Sequence, residues 1–144
     1  MSTSVQIVFD CADPERLARF WAEALGYILQ PPPPGFASWD AFLATMNVPP
    51  EDRNAASAIV DPEGKGPRIY FQRMDTPKLA KNRLHLDLNV GGGSKVALDE
   101  RKARIESEVR RLLGLDAARL RTESDEHEYW VVMADPEANE FCVQ

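Results

Sequence analysis

The sequence predicts an α+β fold built from two repeated modules, each a strand, a helix and then further strands, and three observations carry that expectation. Several short stretches alternate apolar and polar residues, the period of a half-buried strand. Two longer stretches repeat apolar residues at helical spacing and carry capping residues at their ends. The second half of the chain then repeats the pattern of the first.

Residues 4–10, SVQIVFD, read as the first strand, with Val5, Ile7 and Phe9 on one face and Gln6, Val8 and Asp10 on the other. A helix follows, with Asp13 as N-cap, Pro14 in the first helical position and Gly26 at the end. Leu17, Phe20, Trp21, Ala24 and Leu25 form its apolar stripe, which is expected to pack on the strand before it. Residues 31–56 interrupt the pattern. PPPPG is a stiff break, and Ser38 caps a short helix with Trp39, Phe42, Leu43 and Met46 on one side. A surface insertion is the favoured reading of this segment; a flap over a site and a dimer contact are the alternatives.

Strands are expected at ASAIVD (56–61) and PRIYFQR (67–73), joined by PEGKG. The stretch NRLHLDLNV (82–90) reads as a further strand, with Leu84, Leu86, Leu88 and Val90 on one face and His85, Asp87 and Asn89 on the other. After GGGS, with Ser94 as cap, a second helix is expected over about 95–113. Leu98, Ile105, Val109 and Leu112 point inward, Gly114 is the stop, and Glu106–Arg110 is an expected pair on the wet side. Strands at about 118–123, 128–134 and 139–143 complete the chain.

The repeat fixes equivalences between the halves. VQIVFD followed by a helix matches LHLDLNV followed by a helix, and VDPEGKGPRIYFQ (60–72) matches ADPEANEFCVQ (134–144). Gln6 then corresponds to His85, and Tyr70 to Cys142, all on the face opposite the helices. Module one spans about 4–75 and module two about 82–144, within one domain over 1–144. Two such units are expected to curl a mixed sheet into a cup, with the helices outside and these four side chains converging inside.

Composition removes several classes of function. The charge is 17 − 23 = −6, and no basic stripe is present, so a nucleic-acid partner is not expected. No apolar run approaches the roughly 20 residues that span a bilayer. MSTSVQIVFD does not read as a secretory signal, and Cys11 and Cys142 read as reduced thiols, so a cytoplasmic protein is expected. Phosphate loops, nucleophile elbows and HExxH motifs are not found. GGGS before a helix is read as a link between modules.

Three features together resemble a known family: the D-P…R-F-W…L-G pattern over 13–26, the mid-strand histidine of RLHLDLNV, and the ending ADPEANEFCV. They are similar to the vicinal oxygen chelate superfamily, in particular its glyoxalase-like domains. The resemblance implies paired βαβββ modules, a ligand cup and often a homodimer. Members that use metal place a His or Gln on the first strand of each module and a Glu on the last, and they chelate vicinal oxygens of a substrate. Others lack metal and sequester drugs.

Carried over by this resemblance, Gln6 and His85 fall on the first-strand metal positions, whereas Tyr70 and Cys142 stand where the two Glu are expected. Gln and neutral His bring no anionic charge to offset dehydration of a cation. Cys142 as a thiolate favours zinc, and Gln72 shares the Tyr70 face and offers a substitute donor. The expected cofactor is none, or a divalent Zn, Ni or Mn ion.

The residues expected to act are His85 with Asp87 in acid–base chemistry, and Gln6, Tyr70, Gln72, Trp130, Trp39 and Cys142 in ligand binding. Asp87 lies two residues from His85, about 7 Å along one face. Side-chain pairing needs favourable rotamers, and a solvated carboxylate is the alternative. Trp130 shares a face with Val132 and Ala134 unless a bulge flips the register, and Trp39 is read as lying across the cup mouth. Trp21 reads as core and His127 as exposed without a role. The expected function is a glyoxalase-like protein that binds a small organic ligand, without the usual two-carboxylate metal site. A metal-dependent lyase, isomerase or dioxygenase-type enzyme using Gln6 and His85 is the alternative.

Overall fold

The computed structural model describes residues 4–144, which divide into two compact units, 4–77 and 78–144. The first unit contains strand β1 (Ile7–Cys11), helix α1 (Pro14–Leu25), strand β2 (Ile28–Leu29), helix α2 (Trp39–Thr45), and strands β3 (Ala56–Val60) and β4 (Ile69–Arg73). Its sheet has the order β1-β4-β3-β2, with β1 and β4 parallel and the other pairs antiparallel. The second unit contains strand β5 (Asp87–Leu88), helix α3 (Leu98–Leu113), and strands β6 (Ala118–Ser124), β7 (Tyr129–Ala134) and β8 (Glu140–Val143). Its sheet has the equivalent order, β5-β8-β7-β6, again with a parallel first pair. The fold is α+β, two βαβββ modules.

The register repeats as well as the order. Val8 pairs with Tyr70 on the parallel ladder of the first unit, and Asp87 pairs with Cys142 on that of the second. Gln6 and His85 each stand two residues before these positions, so the equivalences drawn from the sequence match the ladders.

Helix α1 forms as its local signals dictate. The Asp13 side chain accepts from the Arg16 N–H, Pro14 opens the first turn, and Gly26 closes the helix at φ 70°. Leu17 and Trp21 are fully buried, and Phe9 stacks between Trp21 and Phe71 at ring-centre distances of 5.5 and 5.4 Å. Ile59, Ile69 and Phe71 complete this apolar layer. In the second unit Ile105, Val109 and Leu112 of α3 are buried with Val131, Met133, Phe141 and Val143. Each sheet thus has one face in its own core and one helix-free face.

Four expectations need correction. The long strand at 82–90 shrinks to Asp87–Leu88, and Leu84 is exposed. Alternation reports which way side chains point, not whether a ladder partner exists, and Asn82 is held instead by the Glu140 carboxylate at 3.0 Å. Helix α3 starts at Leu98 after Ala97, not at a Ser94 cap, because Gly92 and Gly93 at φ 94° and 76° put the chain into a turn first. A Cβ at Gly92 also meets Arg104 Nη1 at 2.6 Å and Val96 Cγ2 at 2.8 Å, so the position takes glycine on two counts. Glu106 pairs with Arg119 of β6 at 2.7 Å, and Tyr129 also donates to it, where Arg110 was expected as its partner. Strand β2 was not foreseen, being only two residues long.

The insertion makes helix α2, capped by Ser38 as expected, with no residue buried. The two DPE segments of the repeat have a structural role. Asp61 accepts from the Glu63, Lys65 and Gly66 N–H groups, and Asp135 from those of Glu137 and Asn139. Each aspartate therefore organises the turn before its module's last strand.

Candidate functional site

The helix-free face of the second sheet gathers a histidine, a carboxylate and a thiol. Asp87, Cys142, Val132 and Arg121 are ladder partners in turn across β5, β8, β7 and β6, and directly paired residues project to one side. His85 Nε2 lies 3.2 Å from Asp87 Oδ1, so the rotamers that pair them are the ones adopted. One potential ligand atom from each of His85, Asp87 and Cys142 lies within 4.8 Å of the other two. Gln144 Nε2 donates to Asn89 Oδ1 at 3.0 Å and reaches Asp87 Oδ2 at 3.4 Å, linking the far side of the carboxylate to the strand end. Burial pushes the Cys142 thiol up, and the Asp87 charge and hydrogen bond push it further, so the sulfur is a protonated thiol at neutral pH.

Trp130 pairs with Glu123, two residues from the Val132–Cys142 pair, and so shares the Cys142 face. The sheet's irregularity falls on β6 between Arg119 and Arg121, leaving the β7 register unbroken through Trp130.

The helix-free face of the first sheet centres on a residue the sequence reading gave no role. Arg68 Nη1 donates to Gln6 Oε1 at 2.7 Å, Arg68 Nε donates to Gln30 Oε1 at 2.6 Å, and its guanidinium carbon lies 5.2 Å from the Tyr70 ring centre. Trp39 of α2 donates its indole N–H to the Gln30 carbonyl oxygen at 2.7 Å, which attaches the insertion to the same residue. Gln72 is exposed on this face, with Nε2 3.5 Å from Met74 Sδ. The signal that finds Arg68 is its alternation with Tyr70 and Gln72, but its partners lie 38 and 62 residues away in sequence.

Of the four positions drawn together by the repeat, 6 and 70 lie in the first unit and 85 and 142 in the second. The donor chemistry of the two pairs differs. Gln6 offers an oxygen already engaged by a guanidinium, and a cation there faces like charge. His85, Asp87 and Cys142 offer nitrogen, oxygen and sulfur, a mixed set that fits a zinc-class ion once the thiol ionises. Asp87 brings the carboxylate that both last-strand positions lack, and it does so from β5.

Comparisons with known proteins agree on the fold. A family profile described as a glyoxalase-like domain matches residues 6–144. Among solved structures, a glyoxalase/bleomycin resistance protein/dioxygenase family enzyme from Burkholderia phytofirmans superposes with TM-score 0.62 at 13% identity, over 96% of this chain and 94% of that one. A mutant of the fosfomycin resistance protein FosX from Listeria monocytogenes, complexed with Mn(II) and dihydroxypropylphosphonic acid, gives TM-score 0.62 at 10% identity over 100% and 90%. A possible glyoxalase from Bacillus cereus gives 0.60 at 10% over 100% and 99%. No curated protein sequence matches the chain. With the repeated βαβββ order, the repeated ladder register and a profile covering nearly the whole length, the chain belongs to the glyoxalase-like domain family of the vicinal oxygen chelate superfamily.

Proposed function

We propose that this glyoxalase-like domain binds a small organic ligand against the helix-free faces of its sheets, the cup expected from the repeat, without the family's two-carboxylate metal site. The observation that supports this reading is the chemistry at the last-strand positions. Tyr70 and Cys142 stand there, and the first-strand Gln6 is tied to a guanidinium. Tyr70, Trp130 and Trp39 offer aromatic walls, Gln6, Gln72 and Cys142 offer polar contacts, and His85 with Asp87 offers a proton donor and acceptor. An imidazole whose Nε2 faces Asp87 keeps Nδ1 for a ligand proton. The reading includes one domain made of both modules, a homodimer and a cytoplasmic setting. Among the described residues no helix is long and apolar enough to cross a membrane. The test is a small-molecule melting screen on the purified protein. Hits that lose their stabilisation in Tyr70→Ala or Trp130→Ala are expected; indifference of every hit to both substitutions rejects this placement of the ligand.

A second reading, a metal-dependent lyase, isomerase or dioxygenase-type enzyme, has one observation in its favour: the cluster of His85, Asp87 and Cys142. Those three residues would hold the ion. A bound divalent ion supplies Lewis-acid polarisation of a substrate oxygen. Asp87 orients the His85 ring and adds negative charge. Metal analysis of protein purified without chelator separates the two readings. A stoichiometric ion lost in His85→Ala favours the enzyme, and no ion favours the metal-free binder.

A further inference from the structure

We propose that Arg68 is the receptor for an oxyanion group of the ligand, and that the ligand class is therefore a small organic anion with an apolar or aromatic body. The inference rests on the small-molecule reading above and specifies the chemistry of what is bound.

Three features of Arg68 carry it. First, the side chain is half-buried and fixed at two points, through Nε to Gln30 and through Nη1 to Gln6, at 2.6 and 2.7 Å. Second, both partners are neutral amide oxygens. They order the guanidinium without cancelling its charge, and Arg68 has no ion-pair partner among the described residues. In a chain with six more acidic than basic residues, an arginine held by amides alone is not short of available carboxylates. Third, a guanidinium has five N–H donors, and Gln6 and Gln30 take two of them. The remaining three, one on Nη1 and two on Nη2, can meet the two oxygens of a carboxylate or phosphonate.

The surroundings fit the rest of such a molecule. The guanidinium stands over the Tyr70 ring, and Trp39 is hydrogen-bonded to the residue that holds Nε. An anionic head on Arg68 thus places the adjoining carbon body beside aromatic surface. Because the rotamer is set before binding, little ordering cost falls on the binding step. Gln6 and Gln30 act through Arg68 and are positioning residues.

The test is a titration of the full chain, followed by nitrogen-resolved NMR, with benzoate, phenylphosphonate and the neutral benzamide as probes. The two anions are expected to shift the Arg68 Nε–H signal and to bind about tenfold or more tightly than benzamide, as a charge-assisted pair implies. Arg68→Gln is expected to remove that preference. Arg68→Lys keeps the charge but not the fork, and is expected to retain part of the preference. The proposal is overturned if neither anion binds, if benzoate and benzamide bind equally, or if Arg68→Gln leaves the anion preference intact. Benzamide binding sensitive to Tyr70→Ala under those outcomes leaves the small-molecule reading standing. Absence of any ligand response in the melting screen removes both.

Discussion

The imidazole Nε2 of His85 and the carboxylate Oδ1 of Asp87 sit 3.2 Å apart on the helix-free side of β5. Residues two apart in an extended chain are separated by about 7 Å, so the side chains must lean together to meet. Cys142 stands beside Asp87 on the neighbouring strand, and the three groups become one cluster. Cobalt(II) offers a direct probe of whether that cluster takes a metal. Under the metal reading, wild-type protein titrated with Co(II) develops a thiolate-to-metal charge-transfer band at one equivalent. Cys142→Ser abolishes the band, and Asp87→Asn weakens binding by about tenfold. A spectrum unchanged from free Co(II) eliminates the His85–Asp87–Cys142 site.

The entry to α1 is tied to the insertion by Asn54. Its side-chain amide donates to Asp13 Oδ1 at 2.8 Å, and its oxygen accepts from the Glu15 N–H at 2.9 Å. Asp13→Ala is expected to cost about 1 kcal/mol through loss of the cap. Asn54→Ala should cost a similar amount, and the double substitution less than the sum, since the two residues share one hydrogen-bond system. Chemical denaturation of the four proteins measures the coupling; strict additivity contradicts the shared cap.

Glu106 joins α3 to the sheet through Arg119 and Tyr129. The Arg119 hydrogen bonds, then that of Tyr129, hold its carboxyl below the ordinary glutamate value, against the opposing effect of burial. A depressed folded value means this stabilisation is complete above the unfolded glutamate pKa, about 4.3, and fades as pH falls through the folded one. Melting temperatures of wild type and Glu106→Gln should therefore differ at pH 7 and converge in acid. A gap that persists unchanged at low pH assigns the effect to packing instead.

The paired turn aspartates should not be equal. Asp135 is 3% exposed and accepts from two backbone N–H groups and the Asn139 amide, whereas Asp61 is more open to water. Replacing the buried Asp135 with Ala leaves half-buried donors without their acceptor, and a loss of about 2 kcal/mol is expected. Asp61→Ala should lose clearly less, because water can replace the carboxylate. Equal denaturation midpoints for the two variants would show that burial does not set the cost.

What the sequence determined by itself is local chemistry and its repetition. Asp13, Pro14 and Gly26 punctuate α1 because capping groups act within four residues of the backbone they satisfy. The repeat made Gln6 equivalent to His85 and Tyr70 equivalent to Cys142, and both parallel ladders keep that offset, Val8 pairing with Tyr70 and Asp87 with Cys142. The tertiary structure decided what depends on partners distant along the chain. Alternation in 82–90 promised a full strand, but Asn82 is bound to Glu140 and only Asp87–Leu88 is regular. Helical spacing offered Arg110 to Glu106, but Arg119 and Tyr129 reach it from the sheet. Arg68 was visible as a basic residue on a polar face, yet its two amide clamps come from before β1 and after β2. Hydrogen-bond geometry is satisfied in space, and only the folded chain brings residues so far apart in sequence within 3 Å of one another.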